Sequence, residues 1–195
     1  MKQKVSNYPI FLNLKDKKTL IIGGGNVAYV KLNSLVQFGV RVDLVSLSFS
    51  PKIMQVIDEY RLDFKSLAYT KELLDGYDLV VACVDDVELQ RAIYADSKEF
   101  GCLCSCADLP ELSDFSFGAI IKDGDVVVAI STSGSSAAFA KGLKNYIKNL
   151  LPKAQGEFVS KLKQLRETLP KGRARMEMFR DMVDDFFKNI NGDRK

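Results

Sequence analysis

The sequence predicts an α/β protein: a doubly wound parallel sheet, then a small hairpin region, then a helical tail. Three observations predict it. Over the first 105 residues, short β-branched runs alternate with amphipathic stretches, the pattern of strand and crossover helix. The strand-like runs are almost continuously apolar, which predicts burial on both faces. From Phe117 the pattern changes to two apolar runs joined by an Asp-Gly turn, the signature of an antiparallel hairpin.

In chain order, Thr19–Gly24 reads as a strand and Val27–Phe38 as a helix stopped by Gly39. Val40–Ser46 is a second strand, and Pro51–Tyr60 is a helix opened by proline, whose fixed φ suits the first helical turn. Leu62–Leu67 and Tyr77–Val84 read as the third and fourth strands, Glu88–Phe100 as a helix, and the cysteine-rich run after it as the fifth strand. Phe117–Ile121 and Val126–Ser131 flank the turn Lys122-Asp123-Gly124-Asp125. Helices follow at about Ser136–Leu151, Lys153–Leu169 and Arg173–Ile190, with Pro152 and Pro170-Lys171-Gly172 as breaks.

With 195 residues, 47% hydrophobic and 27% charged, one compact domain plus an appendage is expected, and disorder or coiled coil is not. The longest apolar run, Leu79–Val84, falls far short of a membrane span, and Met1–Lys18 lacks the apolar centre of a signal peptide, so a soluble cytoplasmic protein is expected. The 28 Lys+Arg against 25 Asp+Glu leave a formal charge of only +3. The basic excess sits in the tail, where Glu157, Glu167, Glu177 and Asp181 interrupt it. No nucleic-acid module is therefore expected. The tail reads either as a solvated helix face or as a surface for a polyanionic small substrate.

Histidine is absent, which removes the commonest general base, the commonest zinc ligand and every Ser-His or Cys-His nucleophile. Acid-base work must fall to carboxylates, lysine, tyrosine or cysteine. Cys102, Cys104 and Cys106 alternate, so on a strand their sulfurs share one face. Three thiols on one strand cannot enclose a tetrahedral ion alone, and buried small apolar residues are the expected reading beside a redox or soft-metal one, with no metal site expected.

Leu20-Ile21-Ile22-Gly23-Gly24-Gly25-Asn26-Val27-Ala28 is an apolar strand running into a glycine turn and a helix. Gly23, Gly25 and Ala28 stand at the spacing of the dinucleotide fingerprint, with free N–H groups at the helix start to receive phosphates. A Rossmann-like fold follows. The acid usually found at the end of the second strand is replaced by Ser46, followed by Leu47 and Ser48; a hydroxyl neither repels nor pairs a 2′-phosphate, so the residues leave NAD and NADP both open, and NAD is the expected cofactor because no arginine lies in this loop, although Lys52 is near. Asp43 is mid-strand and reads as a structural or edge charge. Asp85 and Asp86 fall at the carboxyl edge of the sheet, as ligands or as a helix cap. Asp108 directly follows the cysteine strand and reads either as a proton acceptor in a partly apolar setting or as a turn aspartate. Ser131, Thr132, Ser133, Gly134, Ser135 and Ser136 precede a helix, as an anion cradle or as an ordinary cap.

Together, Tyr8-Pro9-Ile10-Phe11-Leu12-Asn13-Leu14, Gly23–Ala28 with Lys31, Ala82-Cys83-Val84-Asp85-Asp86, Cys104–Asp108 and Ser131–Ser136 resemble the precorrin-2 dehydrogenase family, which includes the amino-terminal part of siroheme synthases. The resemblance runs over roughly residues 8–152. Val30, Val84, Gly118 and Ala137 depart from the family pattern, at places where a basic residue, a threonine and two prolines are common.

The resemblance implies NAD-dependent oxidation of precorrin-2 to sirohydrochlorin and, in some members, insertion of ferrous iron as a substrate to give siroheme. It implies a homodimer and the division 1–112 for the NAD-binding domain, 113–150 for dimerisation and 151–195 for a helical domain. By position it makes Asp108 catalytic, Asn26, Val27, Leu47 and Ser48 cofactor contacts, and Ser131–Ser135 the loop facing the tetrapyrrole. Arg173, Arg175 and Arg180 are candidates for the substrate's carboxylates. Two rival readings are a non-enzymatic NAD(H)-sensing module and a chelatase-only enzyme.

Overall fold

Strand β1 (Lys18–Ile22) shows how the sequence builds a layered sheet. Successive side chains of a strand point to opposite faces. Ile21 therefore joins Val42, Leu44 and Val81 on one face, while Leu20 and Ile22 join Val45, Val80 and Ala82 on the other. The first face is covered by α1 (Asn26–Val36) and α2 (Pro51–Tyr60) through Ala28, Leu32, Ile53 and Ile57. The second is covered by α3 (Val87–Glu99) through Ile93, and by Leu74 from a short 3-10 turn at Lys71–Leu74. Leu20, Ile21, Ile22, Leu32, Leu44, Ile53, Leu74 and Ile93 are all fully buried. Each contributes about 1.5–3 kcal/mol by leaving water.

The computed structural model describes residues 7–192; residues 1–6 and 193–195, the outer ends of the expected domains, lie outside the described residues. With β2 (Arg41–Ser46), β3 (Phe64–Ser66), β4 (Leu79–Ala82) and β5 (Leu103–Cys106), the sheet is fully parallel in the order β3-β2-β1-β4-β5. The doubly wound α/β reading is borne out. The order reverses between β1 and β4, the point where open sheets of this kind bind ligands at their carboxyl edge.

The third strand is a correction. The apolar run predicted burial on both faces, yet β3 is three residues long and wholly exposed. It is an edge strand, and the chain returns to β4 through one 3-10 turn rather than a covering helix. At the opposite edge, β5 is closed off by its own continuation. Asp114 Oδ2 accepts the Cys104 N–H at 2.8 Å, and Ser113 Oγ accepts the Cys106 N–H at 2.9 Å. These bonds satisfy strand groups that would otherwise be open to further pairing. They also hold the loop carrying Asp108 at the strand's end.

This compact unit runs to Phe117, and a second begins at Gly118. In the second, β6 (Ala119–Asp123) and β7 (Val126–Ile130) form the expected antiparallel hairpin around Gly124, whose φ of 58° meets the left-handed requirement of a two-residue turn. Helix α4 (Ala137–Leu150) packs on the hairpin, burying Ile121, Ile130 and Ala140. Helix α5 (Gln155–Thr168) is tied to the turn by the Gly156 N–H donating to Asp123 Oδ2 at 3.1 Å. Phe186 of α6 (Arg173–Gly192) stacks on Phe158 of α5 with 4.1 Å between ring centroids. Among the described residues, no helix is long and apolar enough to cross a membrane.

Candidate functional site

The glycine loop is shaped by what surrounds it. Gly23 has φ +130°, and a Cβ there would lie 2.3 Å from the Cys83 carbonyl oxygen. Its N–H donates to Val45 O at 2.8 Å, and the Cys83 N–H donates to Ile22 O at 2.7 Å. The ends of β1, β2 and β4 are thereby locked together. A Cβ on Gly24 would lie 1.8 Å from Ser48 O and 2.8 Å from Ser46 Oγ, so the glycine loop and the Ser46–Ser48 loop are in direct contact. Ala28 is fully buried, as close packing of helix on sheet at that position requires.

Gly25 is different. It is exposed at the N-cap of α1, nothing lies within 4 Å of the place its Cβ would take, and its φ of −91° suits any residue. No side chain caps the helix and no acidic residue sits in its first turn. The first-turn N–H groups of a helix have no partner within it, so they face open space with the positive end of the helix dipole behind them. Asn26 and Val27 are exposed beside them, as are Leu47 and Ser48, and Ser46 is half-buried. This cradle fits a dinucleotide pyrophosphate, with the Ser46–Ser48 loop available to the adenosine ribose. Gly25→Ala should therefore fold with less than about 1 kcal/mol of lost stability, the cost of alanine at an N-cap. Its NAD dissociation constant should nevertheless rise at least about tenfold, because the methyl occupies the phosphate's space. Thermal melts and calorimetric titration with NAD read the two effects separately.

The acids at the carboxyl edge divide by role. Asp86 caps α3, its carboxylate accepting from the Glu88 and Leu89 N–H groups at 2.9 and 3.1 Å. Asp43 accepts from the Tyr77 hydroxyl at 2.6 Å, which together with burial pushes the Tyr77 phenol up, as a structural charge does. Asp108 is exposed, against the expectation of a partly apolar setting, because the loop after β5 leaves the sheet there. Its Oδ2 accepts from Gln90 Nε2 at 2.7 Å, and its N–H donates to Gln90 Oε1 at 3.2 Å. Gln90 was missed in the sequence. The signal was present, since Gln90, Ile93 and Ser97 form the buried stripe of α3, and a glutamine on such a stripe needs partners.

Lys31 lies behind the loop, its ammonium 4.5 Å from the centre of the Phe117 ring and held below the ordinary lysine range by burial. Burial pushes the Cys83 thiol up to about 12. Cys102, Cys104 and Cys106 share one core cluster, with Cys104 and Cys106 Sγ 3.9 Å apart. The hydrogen bond to Cys106, reinforced by burial, pushes the Cys104 thiol up. These are packed core residues. Among the described residues no group of three His, Cys, Asp or Glu side chains is arranged to hold a metal ion.

In the second unit, Ser136 caps α4 by accepting the Phe139 N–H, Thr132 Oγ1 accepts the Ser136 N–H, and Ser131 Oγ accepts the Ser133 N–H. Ser133 and Gly134 both have positive φ. The loop thus uses part of its hydroxyl set internally. Of the tail arginines, Arg175 donates to the Arg166 and Leu169 carbonyls that close α5, and Arg173 pairs with Glu177 at 2.8 Å. Arg180 makes no ion pair among the described residues.

A model of a family described as putative NAD(P)-binding matches residues 10–119, more than half of the chain. The chain belongs to that family. It is 33% identical over 171 residues to a siroheme synthase of Methylococcus capsulatus, covering 86% of this chain and 36% of that one. It is 30% identical over 185 residues to a siroheme synthase of Salmonella typhi, covering 95% and 40%. The chain thus spans about two-fifths of the length of these curated relatives. Among solved structures it is similar to SirC, a precorrin-2 dehydrogenase, with a TM-score of 0.76 and 20% identity over 95% of this chain and 100% of that one. The family resemblance read from the residues is borne out, and the solved structure confirms the fold.

Proposed function

We propose that the chain is an NAD-dependent dehydrogenase converting precorrin-2 to sirohydrochlorin. The observation that carries this reading is the exposed carboxylate of Asp108 at the end of β5, on the same edge of the same sheet as the dinucleotide cradle, in a chain without histidine. When bound, NAD supplies the acceptor for the hydride that leaves the reduced tetrapyrrole. The residues of this chain do the rest. The first turn of α1 and the Ser46–Ser48 loop hold and orient the dinucleotide, and Asp108 accepts the proton released as the macrocycle is oxidised.

The names of the relatives support precorrin-2 as substrate. Ser131, Thr132, Ser133, Gly134 and Ser135 are proposed to meet the tetrapyrrole, whose carboxylates suit hydroxyl and backbone donors, and Arg180, exposed and outside the ion pairs of the described residues, is the tail arginine proposed to assist. A homodimer working in the cytoplasm, divided into residues 1–112, 113–150 and 151–195, completes the proposal.

An anaerobic assay tests it. Precorrin-2 and NAD are mixed with the full chain, the NADH absorbance and the macrocycle spectrum are followed, and ferrous iron is then added. NADH appearing together with sirohydrochlorin is the expected result. NAD binding without turnover would establish the sensing module instead. In a parallel reaction supplied with sirohydrochlorin and ferrous iron, siroheme formed by a chain inert toward precorrin-2 would establish a chelatase. Iron uptake after turnover would add ferrochelation, for which Asp108 could remove the pyrrole protons.

A further inference from the structure

Gln90 is completely buried, yet it holds an exposed carboxylate. A buried primary amide must place two N–H groups and one carbonyl, and this one places all three at the carboxyl edge of the sheet. Nε2 donates to Val84 O at 2.7 Å and to Asp108 Oδ2 at 2.7 Å, and Oε1 accepts the Asp108 N–H at 3.2 Å. The orientation is forced. Reversing the amide would set its oxygen against two acceptors and its nitrogen against a donor. The side chain therefore spans from the end of β4 to the loop after β5 and grips Asp108 by backbone and carboxylate together.

The grip has a chemical consequence. The Gln90 N–H occupies one of the two lone pairs of Asp108 Oδ2 and draws charge toward that oxygen, so Oδ1, which carries no such bond, is the better placed of the two to accept a proton. We propose that Gln90 is the positioning residue for Asp108, fixing the carboxylate plane and directing the substrate's proton to Oδ1. This rests on Asp108 serving as the base.

The test measures kcat and KM for the full chain with precorrin-2 and NAD, in Gln90→Met, Gln90→Glu, Asp108→Asn and the double variant Gln90→Met/Asp108→Asn. Gln90→Met keeps the volume and removes the grip. It is expected to lower kcat about 10- to 100-fold, the range expected for a misplaced catalytic group, with KM for NAD changed less than about threefold. In the Asp108→Asn background the same change should cost nothing further, since residues acting through one another are not additive. Should Gln90→Met fail to fold, Gln90→Glu keeps the shape and takes away at least one of the two donors that reach Val84 O and Asp108 Oδ2, and the same loss of kcat without further loss in the Asp108→Asn background is expected.

A dead Asp108→Asn beside Gln90 variants with wild-type kcat overturns the role of Gln90 and leaves the base reading standing. An equal loss from Gln90→Met in both backgrounds marks a merely structural residue and overturns the role too. Wild-type turnover by Asp108→Asn overturns the base reading, and the positioning role falls with it.

Discussion

Asp108→Asn is expected to lower turnover by about 10²- to 10⁴-fold, the usual contribution of a positioned general base, while NAD affinity stays within about twofold. Asparagine isolates the proton from everything else the residue does. Its carbonyl oxygen still accepts from Gln90 Nε2, and the backbone N–H still donates to Gln90 Oε1, so the loop after β5 keeps its position. The side chain is exposed, so stability should change by no more than about 0.5 kcal/mol. What is lost is the negative charge and, with it, the ability to take up a proton. Single-turnover appearance of NADH at saturating precorrin-2 measures the chemical step, and calorimetric titration measures NAD binding. A wild-type rate would remove Asp108 from the reaction.

Gly23→Ala is expected to be strongly destabilising, and for a reason unrelated to chemistry. The position has φ +130°, a conformation L residues adopt at a cost of roughly 1–3 kcal/mol. The added Cβ would also lie 2.3 Å from Cys83 O and 2.7 Å from Cys83 C, backbone atoms that cannot rotate away. Overpacking of this kind costs about another 1–3 kcal/mol. Relief requires parting the ends of β1 and β4, which carry the Gly23-to-Val45 and Cys83-to-Ile22 hydrogen bonds. NAD binding should be lost along with stability. Urea unfolding followed by circular dichroism should show an earlier transition, and a midpoint equal to wild type would refute the packing argument. The contrast with Gly25→Ala, which should spare stability and lose affinity, separates the glycine that shapes the loop from the glycine that leaves room for the ligand.

Much of this architecture was legible from residue pattern. Helix α2 runs over Pro51–Tyr60 as read, because a proline opens it and Arg61, at φ 52°, closes it in the left-handed conformation. The hairpin turn was marked by Gly124, and the dinucleotide loop by glycines between an apolar strand and a helix. The third strand is shorter and more exposed than the pattern predicts, since Leu62, Phe64 and Leu67 mark a strand whether or not a covering layer exists, and Phe64–Ser66 lies at the edge. The exposure of Asp108 was misjudged for a related reason: where the chain leaves a sheet depends on how β5's edge is closed, here by Ser113 and Asp114.

Local spacing was enough to establish the parallel sheet, its glycine loop, the hairpin and the acid at the end of β5, because propensity, turn chemistry and apolar period act between residues close in sequence. The grip of Gln90 on Asp108, the contact of Gly24 with Ser48 and the demotion of Arg175 to a helix cap were decided only on folding. Those three depend on directional bonds and excluded volume between different elements, from neighbouring helices for Arg175 to separate βα units for Gln90 and Gly24. No local pattern records which segments the packed core brings together.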